Sequence, residues 1–188
     1  MLILKIINRL KRLAWIIIWR LFFLVTRQSM NKTVVISPRS ILGLGSMKFG
    51  DNIRILAGAR LEVYKQRPYE AMLKIGSNVS INYDIHIGCI NKIVIGDNTL
   101  IASDVFITDH SHGDPHAPAS DLSYSDMKLF SPGPVIIEKN CWIGEKASIM
   151  PNVQIGAGSI VGANSVVTKS FPPNSIIAGV PAKLIRMK

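Results

Sequence analysis

A chain of 188 residues is long enough for one well-buried core, and nothing in its composition suggests two. Its formal charge of +10 is uneven: Lys5, Arg9, Lys11, Arg12, Arg20 and Arg27 meet no acid before residue 28, whereas acids balance bases beyond residue 74. No helix-turn-helix, zinc-finger or aromatic-basic pattern turns that charge into nucleic-acid readout, and Cys89 and Cys141 match no metal-ligand spacing and read as reduced thiols of a cytosolic protein.

The first element, "MLILKIINRLKRLAWIIIWRLFFLVTR", reads as a helix. Positions 5, 9, 12, 16, 20, 23 and 27 fall on one line of it, and Lys5, Arg9, Arg12, Arg20 and Arg27 occupy five of them. Lys11 is the exception, and apolar residues including Trp15, Trp19 and Phe22 fill the remaining circumference. A spanning helix needs roughly 20 mostly apolar residues, but Arg20 divides "LAWIIIW" from "LFFLVT". No small-residue cleavage site follows, which disfavours a signal peptide. The expectation for residues 1–30 is an amphipathic helix in the membrane interface, its basic stripe on acidic headgroups of the cytoplasmic leaflet. The protein is then cytoplasmic and peripherally attached to the cytoplasmic membrane. A helix packed on a neighbouring subunit or capping the domain is the alternative.

From residue 34 onward a lone large aliphatic recurs every sixth position. Units open at Ile36, Leu42, Phe49, Ile55 and Leu61, then at Ile75, Ile81 and Ile87, then at Ile95, Ile101 and Ile107, and from Ile137 without error to Val167. Periods of 3.6 and 2 both fail to explain this spacing. A short strand and a turn per six residues explains it: the aliphatic enters a shared core while Gly, Asn and Asp take corners of positive φ. The predicted class is an all-β solenoid in which no unit is stable alone.

"IGDNTLIASDVFIT", "WIGEKASIMPNVQIGAGSIVGANSVVTK" and "PPNSIIAGVPAKLIR" resemble the hexapeptide-repeat acyltransferases of the sugar O-acetyltransferase type. The resemblance spans about residues 34–188. It implies a left-handed parallel β-helix of triangular section, a homotrimer, acetyl-CoA as donor, no metal, and clefts between neighbouring prisms.

Three departures break the rhythm. "VYKQRPYEAMLK", residues 63–74, is expected to protrude as a hairpin, and two extra residues lie between Ile87 and Ile95. The third, residues 109–136, is a long loop leaving the prism at "ITDHSHGDPHAP"; a loop this long is functional or disordered.

Acetyl transfer to an alcohol needs a base for the hydroxyl proton, and histidine suits that task. The resemblance puts the catalytic histidine at His110. His112 either orients the acceptor or faces solvent, and His116 is incidental. Asp109 is assigned a turn role, because adjacent side chains on an extended strand point apart. Asn82 and Asp84 fall where similar enzymes bind the acceptor, Asp84 departing from the usual amide, while His86 is read as structural. Donor contacts carried over from the family are Trp142, Ala163, Thr168, Lys169, Lys183 and Arg186.

The leading expectation is therefore an acetyl-CoA-dependent O-acetyltransferase acting on a sugar of a cell-surface polysaccharide or its lipid-linked precursor. Alternatives are an N-acetyltransferase of an amino sugar, a zinc hydratase of the γ-carbonic anhydrase kind that shares the solenoid, and a non-catalytic trimeric scaffold. The hydratase is disfavoured because the C-terminal coils contain no histidine.

Overall fold

The computed structural model describes Leu10, residues 13–14 and 17–18, the backbone of Val34–Val35, and residues 37–118 and 121–188. Every unit-opening aliphatic from Ile55 to Val167 is at most 1% exposed and belongs to one continuous core. Each such side chain contributes about 1.5–3 kcal/mol of burial. A rung six residues wide supplies one of them, so stability comes from stacking.

Short parallel strands form three faces. The first carries Val34–Val35, Arg54–Ile55, Ser80–Ile81, Leu100–Ile101, Trp142–Ile143, Ile160–Val161 and Ser175–Gly179. The second carries Ser40–Leu42, Arg60–Val63, His86–Cys89, Phe106–Thr108, Ser148–Ile149 and Val166–Val167. The third carries Met47–Phe49, Met72–Ile75, Lys92–Ile95, Val135–Ile137 and Gln154–Ile155. The chain visits the faces in turn, and equivalent residues stack in register, as Ile55, Ile81, Ile101 and Ile143 do. This fits the left-handed parallel β-helix. Ala182–Met187 folds back antiparallel on Ser175–Gly179 and caps the last coil.

Two of the three corners are uniform. Between the third and first faces Asn52, Asn78, Asn98 and Asn140 sit at φ 55–60°, a region asparagine tolerates better than most residues. Their amides form a ladder, Asn52 Nδ2 donating to Asn78 Oδ1 at 2.9 Å and Asn78 Nδ2 to Asn98 Oδ1 at 3.1 Å. Between the first and second faces Asp84, Asp104, Lys146 and Asn164 adopt the same left-handed turn.

The corner between the second and third faces is different, because every departure from the six-residue register falls on it. In successive coils it carries a 3-10 turn at Leu44–Ser46, an excursion over 64–71, the two extra residues near Ile90, and the chain from Asp109 to Pro134. Within the last of these, Ser111–His112 pairs antiparallel with Leu129–Phe130. The excursion over 64–71 is not the expected hairpin: its flanking strands lie on different faces and do not pair with each other.

The first coil departs by one residue from the sequence register. Ile41 stacks on Leu61, and Val35 on Ile55, whereas Leu42 is 46% exposed. Gly43 at φ 72° and the turn after it absorb extra residues before Phe49, and with no intact unit upstream the spacing alone could not locate that insertion. Ile36 lies outside the described residues. So does most of the expected N-terminal helix, although Leu10, Leu13, Ala14, Ile17 and Ile18 are helical and exposed. Among the described residues no helix is long and apolar enough to cross a membrane.

Candidate active site

Thr108 ends the last strand before the long loop, and the chain turns out of the prism at Asp109 and His110. The turn cancels the alternation of an extended strand, so these neighbours point together instead of apart. Asp109 is 0% exposed, and its Oδ1 lies 3.1 Å from His110 Nδ1. The turn role expected for Asp109 is thereby corrected: its carboxylate accepts Ile90 N–H and Asn91 N–H at 2.9 Å each and the Cys89 thiol at 3.3 Å. The two extra residues beyond Cys89 supply those N–H donors.

Burial alone would raise the Asp109 pKa, but His110 and the backbone donors together hold it below the ordinary carboxylate range. An ionised carboxylate only accepts, so His110 Nδ1 carries a hydrogen, and in the neutral ring the lone pair falls on Nε2. Thr108 fixes the His110 backbone, its Oγ1 accepting from His110 N–H at 3.2 Å and donating to His110 O at 3.1 Å, and the same Oγ1 lies 3.2 Å from the ring at Nδ1. The imidazole lies over Gly88, where an added Cβ would stand 3.1 Å from His110 Cε1. Tyr64 meets the ring edge-on, centroids 6.4 Å apart.

His110 opens on a cavity of about 490 Å³ between the second face and the long loop. Glu62, 4% exposed, lines the same cavity. Arg60 donates to Glu62 through Nε at 3.1 Å and Nη2 at 3.0 Å, Tyr64 OH donates at 2.8 Å, and His86 Nε2 lies 3.3 Å away. Burial pushes the Glu62 pKa up, but Arg60 and Tyr64 more than offset it and bring it down to about 2. The His86 pKa is lowered by burial and by Arg60, so near pH 7 its contact with Glu62 is that of a neutral imidazole donating to an ionised carboxylate. Register builds this cluster: Arg60, His86 and Phe106 stack on successive strands, and Arg60 and Glu62 alternate along the strand Arg60–Val63 with Tyr64 just beyond its end. The signal was present in "RLEVY", whose polar residues recur with period two.

Of the residues expected from sequence, His110 and His112 line this cavity. His112 Nδ1 donates to Tyr124 O at 3.0 Å, pinning the loop across the cavity mouth. His116 is exposed and lies outside the cavity lining. Asn82 and Asp84 lie on the corner between the first and second faces and do not line the cavity; Asp84 adopts a left-handed turn at φ 57°. Thr168 and Lys169 follow Val167 at the same corner as His110, two coils further on, or roughly 10 Å at one strand spacing per coil. Lys169 Nζ rests 5.6 Å over the Phe171 ring. Trp142, half exposed, and the exposed Ala163, Lys183 and Arg186 belong to the first face or its corners. One chain does not bring them to His110. Cys89 and Cys141 are buried with raised pKa values, chiefly through burial, which leaves them protonated and unreactive. Among the described residues no group of three or more His, Cys, Asp or Glu is arranged to hold a metal ion.

Residues 134–169 match the family described as bacterial transferase hexapeptide (six repeats). Over 159 residues the chain is 40% identical to WbbJ of Escherichia coli K12, named as a lipopolysaccharide biosynthesis O-acetyl transferase, covering 83% of this chain and 79% of that protein. It is 38% identical over 118 residues to the galactoside O-acetyltransferase of the same organism, covering 63% of this chain and 55% of that one. Among solved structures, AntD, an N-acyltransferase from Bacillus cereus in complex with dTDP and 3-hydroxybutyryl-CoA, superposes with a TM-score of 0.68 at 24% identity, covering 86% of this chain and 82% of that one. A galactoside acetyltransferase in complex with coenzyme A superposes with a TM-score of 0.51 at 28% identity, over 84% of this chain and 64% of that one.

Proposed function

The chain belongs to the bacterial hexapeptide-repeat transferases, and from that membership we infer that it is an O-acetyltransferase moving acetyl from acetyl-CoA to a sugar hydroxyl. The acceptor is a sugar of a cell-surface polysaccharide or of its lipid-linked precursor, in keeping with the role named for WbbJ. The observation that carries the reading is the buried Asp109 holding His110 Nδ1 beside a cavity that Arg60, Glu62 and His86 also line.

His110 Nε2 takes the proton of the acceptor hydroxyl as its oxygen attacks the thioester carbon. The tetrahedral intermediate collapses with cleavage of the carbon–sulfur bond, and the imidazolium returns the proton to the departing CoA thiolate. Asp109 fixes the tautomer and stabilises the transient cation. Arg60 and Glu62, whose charges are paired with each other, supply donors and acceptors for acceptor hydroxyls. A neutral His86 beside them keeps excess positive charge out of the cavity.

Donor contacts come from the C-terminal coils. Thr168 and Lys169 serve the pantetheine on the His110 corner. Trp142, Ala163, Lys183 and Arg186 serve from the first face of a neighbouring copy, which calls for a homotrimer with the cleft between prisms. Asn82 and Asp84 approach an acceptor only across such an interface, on the neighbour's corner. The N-terminal helix holds the assembly on the acidic leaflet: Leu10, Leu13, Ala14, Ile17 and Ile18 recur at the spacing of one helix face and are exposed, as an interfacial helix requires.

Purified full chain with acetyl-CoA and a sugar panel is expected to release free CoA, read with a thiol-reactive chromophore. His110→Ala should lower the rate by about 10²–10⁴-fold with an unchanged melting temperature; turnover equal to that of the parent removes His110 from the mechanism. Neutral hydroxylamine strips the product acetyl if it is an ester and leaves an amide intact, which separates O- from N-transfer.

A further inference from the structure

The wall behind the His110 cavity has a second side. Residues 64–71 leave the corner between the second and third faces, and Tyr64 lines the His110 cavity while Lys65 lines another. These are consecutive residues, about 3.8 Å apart at Cα. The second cavity, about 770 Å³, is open and lies against the third face. Lys48 and Lys92 enter it from the prism, and Lys65 and Arg67 from the excursion; Glu70 is the one acid in its lining.

Among the described residues the ion pairs are Arg60–Glu62, His86–Glu62 and His110–Asp109, so none of these four cations is paired with a carboxylate. Lys48 also stands in register with Lys74 on the next strand of the third face, where the backbones are roughly 4.8 Å apart. Like charges directly opposite one another destabilise a sheet, and a bound anion offsets that repulsion.

The cavity rim is a built structure. Gln66 donates through Nε2 to Leu129 O at 2.6 Å and accepts Leu129 N–H at 3.2 Å. Tyr69 OH accepts Ser131 N–H at 3.1 Å, and Asn91 Nδ2 donates to Ser131 Oγ at 3.2 Å. Asn91 N–H is one of the two backbone donors to Asp109. One hydrogen-bonded wall therefore carries Lys65 and Arg67 on one flank and, through Asn91, orients Asp109 and His110 on the other.

We propose that this cavity binds the diphosphate of a glycosyl diphosphate acceptor, whose sugar reaches His110 over the shared wall. The assignment rests on the O-acetyltransferase reading and names the form in which the sugar is presented. Three mobile ammonium groups and a guanidinium match a group with several charged oxygens spread over two phosphorus centres, whereas a single carboxylate would leave most of them unpaired. The location agrees: the cavity lies in the N-terminal coils, at the opposite end of the prism from the coils assigned to CoA, and its third-face strand Met47–Phe49 belongs to the first coil after the basic segment in sequence.

The test uses full-length protein in neutral detergent at low salt, with inorganic pyrophosphate titrated by calorimetry. Lys48→Gln/Lys92→Gln is expected to weaken pyrophosphate at least tenfold and His110→Ala to leave it unchanged. Pyrophosphate should compete with a glycosyl diphosphate acceptor in CoA release and not with a neutral glycoside of the same sugar. Absence of pyrophosphate binding, or equal affinity in the double variant, overturns the proposal. So does the alternative source of phosphate: if the double variant loses sedimentation with phosphatidylglycerol vesicles while pyrophosphate neither binds nor competes, the cavity holds a lipid headgroup. Equal inhibition with both acceptors breaks the link between the cavities. A failure of acetyl transfer itself would appear as no CoA release with any sugar while pyrophosphate binding persists.

Discussion

Replacing Asp109 with asparagine keeps the side chain's shape and removes its charge, which isolates what the carboxylate does for His110. The carboxylate meets four donors: Ile90 N–H and His110 Nδ1–H on Oδ1, Asn91 N–H and the Cys89 thiol on Oδ2. An amide offers only one oxygen. Placed with that oxygen at Oδ1 it retains the histidine tautomer and sets its NH₂ against Asn91 N–H and the Cys89 thiol, of which the thiol can turn to Met72 O and only the backbone donor is stranded. Placed the other way it opposes two donors, Ile90 N–H and His110 Nδ1–H, and forces the wrong tautomer. The first orientation is cheaper, and its cost is one buried donor without an acceptor, about 1–3 kcal/mol. For a domain of this size that lowers the melting temperature by roughly 2–12 °C. Catalysis loses the anion that stabilises the transient imidazolium. Unit charges 4 Å apart near a protein surface interact by about 4 kcal/mol, and the cation is only partly formed in the transition state. The expected fall in kcat is on the order of 10²-fold, about 2.7 kcal/mol, smaller than for His110→Ala. Initial rates of CoA release give kcat and KM, and a melting curve reports the structural cost separately. The double variant Asp109→Asn/His110→Ala should be no slower than His110→Ala alone, since both act through one imidazole. A kcat within twofold of the parent despite a lowered melting temperature would refute the argument and leave Asp109 as a brace for the corner.

Gly88→Ala puts a methyl 3.1 Å from His110 Cε1, so the ring must shift by a few tenths of an ångström; a fall in kcat of roughly tenfold with little change in melting temperature is expected, and an unaffected rate would mean that the ring position is not critical. Glu62 has a folded pKa of about 2 against an ordinary 4.5. Its ionised contribution to stability is therefore complete above about pH 4.5 and lost as pH falls towards 2, so the melting temperature of the parent should decline across that window more steeply than that of Glu62→Gln. Ile101→Ala empties a fully buried rung of the core and should cost about 2–5 kcal/mol in denaturant unfolding. Arg9→Gln/Arg12→Gln/Arg20→Gln removes three charges worth about 1 kcal/mol each near an acidic surface, so partition onto phosphatidylglycerol vesicles should drop on the order of 10²-fold while CoA release from a soluble acceptor is retained.

How much of this was legible beforehand differs from element to element. The aliphatics from Ile55 to Val167 announced their inward direction because a rung is six residues long and its core position is local to it. His110 was singled out through resemblance, together with its place at the end of a rung. The first coil was misread at Leu42 because an insertion can be located only between intact units. Asp109 was misread because the alternation rule holds on a strand, and the backbone abandons the strand one residue earlier than the sequence announces.

The sequence by itself determined the solenoid, the direction of each core side chain, the asparagine and aspartate corners and the basic apolar start of the chain, since all of these depend on residues within one or two units of each other. Tertiary structure alone decided that every insertion stacks on one corner, that Glu62 meets His86, and that Ile90 and Asn91 hold the carboxylate orienting His110. Those groups lie one coil apart, and coil length varies with each excursion. Proximity across coils is a property of the stacked backbone, which no fixed spacing along the chain encodes.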